Sequence, residues 1–264
     1  SSLETCMTSA AGHLLSFTGS DTIPAIPFLE EYYNADCEKE LISGSVPATE
    51  HSICAAYLKE NEREYFRRMI EDVCPSGIVS VVSDTYDLWK VLTEIAPSLK
   101  TSIIKRKGKL VFRPDSSKKT PVEIICGDPE GDNEFERKGV VQLLWEQFGG
   151  TTNKLGYKEL DPHVGTIYGD SITLDRADKI CYRLKNSGFA STNSVFGVGS
   201  YTFQMNTRDT LGLAMKATYC EVNDECRQIF KDPITDDGTK RSKKGLLTVE
   251  RQNGTLVVRD GVTW

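Results

Sequence analysis

Nothing in the 264 residues is apolar over a length that could cross a bilayer. Positive charge is in short supply too. Lys and Arg number 32 against 38 Asp and Glu, a formal net charge of -6, which removes any general attraction for nucleic acid or anionic membrane. Any polyanion must then be held by local cations. No CxxC pair occurs among the eight cysteines at 6, 37, 54, 74, 126, 181, 220 and 226, so zinc and disulfide readings rank below buried, reduced thiols. The sequon Asn253-Gly254-Thr255 has no secretory signal beside it, and a cytoplasmic location is expected. There is no initiating methionine. The opening SSLETCMTSAAGHLL reads as a helix already under way, as in one piece of a larger or processed protein.

What is present is ordinary soluble-protein material, 39% hydrophobic and 27% charged. Six segments share one order: a few β-favouring residues, a polar or Gly-rich turn, then a helical pattern. They are LLSF before TGSDT (14–22), GSV before PATEHS (44–52), IVSVV before SDTYD (78–87), LVF before RPDSS (110–117), GTIY before GDS (165–171) and SVF before GVGS (194–200). Helices are expected over 52–73, over 85–95 with Pro97 as the stop, over 132–148, and over 174–187 with Gly188 as C-cap. This alternation predicts an α/β fold, an irregular (β/α) barrel of parallel strands over residues 1–206, with an open doubly wound sheet as the alternative. After about residue 207 the pattern becomes strands at 213–222, 246–252 and 255–261 with an Asn253-Gly254 hairpin turn. Residues 207–264 are therefore expected to belong to a second, β-rich α+β domain.

The polar turns all fall on the carboxyl edge of the parallel strands, where such folds bind ligands. They supply the acids Asp21, Glu50, Asp84, Asp87, Asp115 and Asp170 and the bases His51, Arg113 and Arg208. Clustered carboxylates beside cations suit a magnesium-bound polyphosphate. The GVGS turn can cradle a phosphate that an Arg clamps, and Asp170 after Gly169 can accept hydrogen bonds from sugar hydroxyls. Plainer roles compete: Asp84 reads as a cap for 85–95, Ser171 or Thr173 as a cap for 174–187, His13 as a core histidine, His163 as a loop residue, and KRSKKG as a solvated loop. Arg113-Pro114-Asp115 resists such treatment, since an Arg and an Asp desolvated together at one strand end need a reason. Taken alone, these residues indicate a phosphosugar-binding barrel.

The ordered set SSLETCMTSAAGHLLSFTGSDT, SVPATEHS, SVVSDTYD, FRPDSS, YGDSI, FGVGS, Thr207-Arg208-Asp209, MKATY and IFKDPITDDGTKRSKKG resembles the nicotinamide phosphoribosyltransferases over nearly the whole chain. The resemblance implies transfer of phosphoribosyl from phosphoribosyl pyrophosphate to nicotinamide. It also implies Mg2+, a homodimer with shared active sites, and ATP as an optional coupling substrate that phosphorylates His51. Under it, Asp21 would accept from the nicotinamide amide and disfavour nicotinate, Ser45, Val46 and Ser83 would line the pyridine pocket, and Arg113 would reach the ring. Glu50, Asp87 and Asp115 would organise magnesium and pyrophosphate. Gly169 and Asp170 would hold the ribose, and Gly199, Ser200 and Arg208 the 5-phosphate, while Lys216, Lys231 and Lys240 would border the polyphosphate channel.

The family's aromatic-and-arginine motif would lie upstream of Ser1, so the 264-residue chain by itself is expected to be inactive or very weak. Ser200 and Tyr201 stand where the vertebrate-type pattern has glycines, and Ser200 can still donate its N–H. Rival readings are a nicotinate phosphoribosyltransferase and a non-catalytic phosphosugar binder. An aldolase-type barrel would want a lysine at a core strand end, and none is there.

Overall fold

Four of the six expected strand segments form one parallel sheet in the computed structural model, which describes residues 2–115, 119–206, 208–235 and 241–262. The chain opens with helices α1 (Leu3–Leu14), α2 (Ala25–Tyr33) and α3 (His51–Tyr57). Helix α4 (Glu62–Arg68) runs through a π-helical turn, Met69–Val73, towards strand β1 (Val79–Val82). Helix α5 (Leu88–Lys90) passes through a second π turn, Val91–Ile95, into α6 (Ala96–Ser98) and α7 (Lys100–Lys105), followed by β2 (Leu110–Arg113). Then come α8 (Pro121–Cys126), α9 (Glu134–Phe148), the hairpin β3 (Gly150–Thr152) and β4 (Lys158–Leu160), β5 (Val164–Tyr168), α10 (Leu174–Asn186), β6 (Ser194–Phe196) and α11 (Ser200–Gln204). The tail adds two antiparallel hairpins, β7 (Tyr219–Val222) with β8 (Glu225–Gln228) and β9 (Leu246–Gln252) with β10 (Thr255–Val262).

The parallel sheet has the order β1-β2-β5-β6, with Val79 opposite Leu110, Leu110 opposite Val164 and Thr166 opposite Ser194. Every residue of β1 is buried, as a parallel strand covered on both faces requires. The core packs Val81, Leu110, Phe112 and Val164 against Phe66, Leu92, Ile124, Leu144 and Ile180. Gly139, at φ +74°, lets α9 close on α8: a Cβ there would stand 2.2 Å from the Gly127 nitrogen. The first two expected strands shrink to single parallel bridges, Gly19 with Gly44 and Ala48 with Ser80, which continue the same sequential order. Residues 14–17 do not form a strand, because α1 runs on to Leu14 and Leu15 and Phe17 lie exposed. Among the described residues no strand pairing joins β6 back to the Gly19 segment. The architecture observed is thus a mixed α/β fold with a four-stranded parallel sheet. His13 of α1 and Phe203 of α11 nevertheless approach to 6.5 Å between ring centroids.

The expected helix over 52–73 is broken at Leu58, which takes φ +66°. Pro97 does not stop the 85–95 helix. The π turn shifts the pairing so that Ala96 N–H bonds Val91 O, and the chain carries Pro97 at the start of α6. Thr173 caps the start of α10 as expected, while Ser187 takes the C-cap position and Gly188 (φ +76°) follows it as the left-handed residue that ends the helix. His163, in a loop, bonds Asp161, while His13 is only half-buried and stacks on Phe17 instead of entering the core. None of the eight cysteines forms a disulfide among the described residues, but only Cys54 is buried, and Cys37 and Cys226 are exposed. No helix among the described residues is long and apolar enough to cross a membrane.

The segment after β8 lies across the loop that follows β1. Asp232 N–H bonds Thr85 O at 3.1 Å, Ile234 N–H bonds Tyr86 O at 2.8 Å, and Phe230 meets Tyr86 edge-on. Arg227 donates to Ala56 O at 2.6 Å, so β8 is also tied to the end of α3.

Candidate active site

At the carboxyl ends of β1 and β2 a parallel sheet leaves backbone N–H groups without ladder partners, and here side chains accept them. Thr49 Oγ1 accepts from Val82 N–H at 3.0 Å and pairs with Tyr65 Oη at 2.5 Å. Ser83 Oγ accepts from Arg113 N–H at 3.3 Å while donating to Val81 O at 2.7 Å. Asp84 Oδ2 accepts from Asp115 N–H at 2.6 Å. Asp84 is 1% exposed, and its second oxygen lies 3.0 Å from His51 Nε2 at the start of α3. The Arg113 guanidinium turns back over the same loop, donating to Thr49 O at 2.5 Å and to Glu50 Oε1 at 3.3 Å. Arg113 Nε is buried without a hydrogen-bond partner.

Five groups from four segments therefore share one electrostatic environment: His51, Asp84, Arg113, Asp115 and Asp170. Burial, and then the Asp84 carboxylate, push Asp115 above the ordinary carboxylate range, with Asp170 adding to this and His51 and Arg113 opposing it. Tyr168, at the end of β5, is raised by burial and by Asp170, Asp84 and Asp115 in turn. The ends of β5 and β6 are in direct contact: Gly197 N–H bonds Tyr168 O at 2.8 Å, and a Cβ on Gly197 would stand 2.7 Å from Gly169 Cα. Gly199 is exposed and precedes α11.

The other sequence candidates divide. Asp21 accepts from Ser45 Oγ, and both lie exposed with Val46 on the bridged first two segments. Ser83 is wholly buried, and its hydroxyl is spent aligning β1 with β2. Asp87 accepts from Lys90 N–H at 3.0 Å and so caps α5, the task that the sequence suggested for Asp84. Lys231 is 7% exposed and sits beside the Asp232–Thr85 pairing, one residue from Asp84, whereas Lys216 is exposed. Lys240, Ser116 and Ser117, with the side chains of Ser200 and Arg208, lie outside the described residues. Among the described residues no three His, Cys, Asp or Glu side chains gather in a way that could hold a metal ion. Sequence reasoning counted Asp84 among the strand-end acids but preferred a helix cap for it, and it passed over Thr49 and Tyr65. The usable signal for Asp84 was a carboxylate two residues past the end of a buried strand and three before Asp87, which supplies the cap of α5.

This arrangement of strand-end acids, an arginine and a histidine can be compared with known proteins. The family model described as the nicotinate phosphoribosyltransferase (NAPRTase) family matches residues 1–259. The chain belongs to that family. Its relatives include the nicotinamide phosphoribosyltransferase of Acinetobacter baylyi, 52% identical over 259 residues, covering 96% of this chain and 50% of that protein. The nicotinamide phosphoribosyltransferase of Mycoplasma pneumoniae is 39% identical over 246 residues, 93% of this chain and 51% of that protein. That of Xanthomonas campestris is 34% identical over 258 residues, 97% of this chain and 51% of that protein. The chain thus spans about half the length of the curated relatives it matches.

Proposed function

We propose that the protein transfers phosphoribosyl from phosphoribosyl pyrophosphate to nicotinamide, giving nicotinamide mononucleotide and pyrophosphate. The observation that carries this reading is the convergence of His51, Asp84, Arg113, Asp115 and Asp170 on the carboxyl ends of parallel strands. The names of the relatives support the amide substrate. So does Asp21, whose carboxylate accepts hydrogen bonds, as from Ser45, and would accept one from an amide N–H while repelling nicotinate.

The chemistry follows from charge. As the bond from C1 of the ribose to pyrophosphate lengthens, C1 becomes oxocarbenium-like, and the carboxylates of Asp115 and Asp170 would offset that positive charge. Arg113 and Lys231 supply fixed positive charge for anionic oxygens, with Lys216, Lys240 and Arg208 as further candidates. The pyridine nitrogen brings its own lone pair, so no general base is required. Among the described residues Glu50, Asp87 and Asp115 do not gather into one metal site; each offers a hard carboxylate oxygen, and a magnesium ion that takes most of its ligands from water and substrate phosphates would need only one of them. Mg2+ bound there would neutralise the pyrophosphate charge. His51 would accept a phosphoryl group from ATP as a coupling step. We further propose that the parallel sheet is the wall of an irregular barrel, that residues 207–264 form part of a second, β-rich domain, and that the enzyme works as a cytoplasmic homodimer with shared sites.

The decisive assay incubates full-length protein with phosphoribosyl pyrophosphate and either nicotinamide or nicotinate and identifies the mononucleotide by mass. Nicotinamide mononucleotide is expected. Formation of the nicotinate product alone, or of neither product, would overturn the assignment.

A further inference from the structure

The loop from β5 to α10 is fixed at both ends. Gly169 lies close against Gly197, and Ile172 is 3% exposed and part of the core. Between them stand Asp170 and Ser171, and Ser171 takes φ +52°, a region that an L-residue rarely enters. The conformation is held from outside the loop, where Arg176 Nη1 donates to Ser171 O. Among the described residues this is the only hydrogen bond of the guanidinium, and no carboxylate pairs with it. Arg176 also stands against the dipole of its own helix. It is the third residue of α10, its N–H is accepted by the cap Thr173 at 3.2 Å, and a cation there faces the positive end of the helix. The bond to Ser171 O offsets that cost. We propose that Arg176 is a positioning residue that holds Ser171 in the left-handed conformation and thereby aims the Asp170 carboxylate into the site.

With Ile172 anchored, rotation about the Ser171 N–Cα bond moves the Asp170–Ser171 peptide, and the Asp170 carboxylate moves with it. The consequence for the reaction rests on the role suggested above for Asp170 at the ribose. Without Arg176 the loop leaves the left-handed conformation, which an L-residue populates about tenfold less than its ordinary ones. Phosphoribosyl pyrophosphate must then select the competent minority, so its apparent affinity falls by about the same factor while the step after binding is untouched. Nicotinamide, whose amide is assigned to Asp21, binds as before.

Arg176→Met in the full-length protein keeps the length of the side chain and its helix propensity but removes the donor. Steady-state kinetics should show KM for phosphoribosyl pyrophosphate raised about tenfold, with kcat and KM for nicotinamide within about twofold of wild type. Adding Ser171→Gly to that variant should bring KM back to within about threefold of wild type, because glycine enters the left-handed region freely. An unchanged KM, an equal rise for both substrates, or no recovery on adding Ser171→Gly overturns the proposal. Crystal structures of the same full-length proteins give a reading independent of turnover. Ser171 should keep its positive φ in the wild type and lose it in Arg176→Met, and a positive φ retained in that variant refutes Arg176 as the holder. A wild type that makes neither mononucleotide, with φ lost in the variant, would support the positioning role of Arg176 and overturn only the proposed function.

Discussion

Glu62 offers a direct test of how burial governs charge beneath the site. It begins α4, is 3% exposed, and has Cys54 Sγ as a distant donor at 3.8 Å. Burial first and then Asp87 push its carboxyl up, against the pull of Lys90, the Cys54 hydrogen bond and Lys59, from 4.5 to about 7. Between these two values the folded protein holds a proton that the unfolded chain has released. Stability should therefore be fully retained below pH 4.5 and fall through the interval, by about 1.4 kcal/mol per pH unit. The loss should reach roughly 3 kcal/mol near pH 8 and then level off.

Glu62→Gln keeps a similar shape and an oxygen for the Cys54 thiol but cannot ionise. Urea unfolding followed by tryptophan fluorescence would give the stability of each protein from pH 5 to pH 8. Subtracting one curve from the other cancels the groups common to both. Relative to wild type, the variant should gain about 2 to 3 kcal/mol across that range. A flat difference would refute the reasoning, since it would mean that Glu62 titrates alike in the folded and unfolded chains. A falling difference would mean that a buried cation holds Glu62 ionised.

Three further outcomes test the site. Gly197→Ala puts a Cβ 2.7 Å from Gly169 Cα, backbone against backbone, and should raise KM for phosphoribosyl pyrophosphate by about tenfold while costing roughly 1–3 kcal/mol of stability, read by steady-state kinetics and thermal melts. Thr49→Val leaves the buried Val82 N–H without an acceptor and Tyr65 without its partner, a loss of about 1–3 kcal/mol in urea unfolding that Thr49→Ser should largely restore. Asp21→Ser removes the carboxylate beside Ser45 and should shift the ratio of kcat/KM for nicotinate over nicotinamide upward by about tenfold or more, measured by product mass.

The sheet was legible because its strands are short apolar runs, IVSVV, LVF, GTIY and SVF, each cut off by a polar turn, and all four run parallel in chain order. The first two segments were legible only in their order. Gly19 and Gly44 make a single bridge, too short a pairing for periodicity to signal. The π turns at 69–73 and 91–95 were not legible, since they change hydrogen-bond register without changing which residues are apolar. SDTYD carries two acids, Asp84 and Asp87, and either could cap a helix. The choice depends on α5 starting at Leu88, which puts Asp87 at the cap and leaves Asp84 inside the site. The docking of residues 232–234 on Thr85 and Tyr86 runs through backbone atoms, which any sequence could supply, so only the family resemblance pointed to Lys231.

The polar turns answer two demands at once. Thr49, Ser83 and Asp84 each receive an N–H from the next strand or its extension, Val82, Arg113 and Asp115 respectively. A Gly turn could end these strands, but it would leave those donors buried without acceptors. Once hydroxyl and carboxylate oxygens are required there for folding, the spare acceptor of Asp84 can hold His51, and the carbonyl of Thr49 can hold Arg113. The side chains that terminate the sheet are thus the ones that orient the candidate catalytic groups. A substitution at Thr49 or Asp84 should therefore be felt in stability and in chemistry together, whereas one at exposed Asp21 should change substrate preference with little effect on folding.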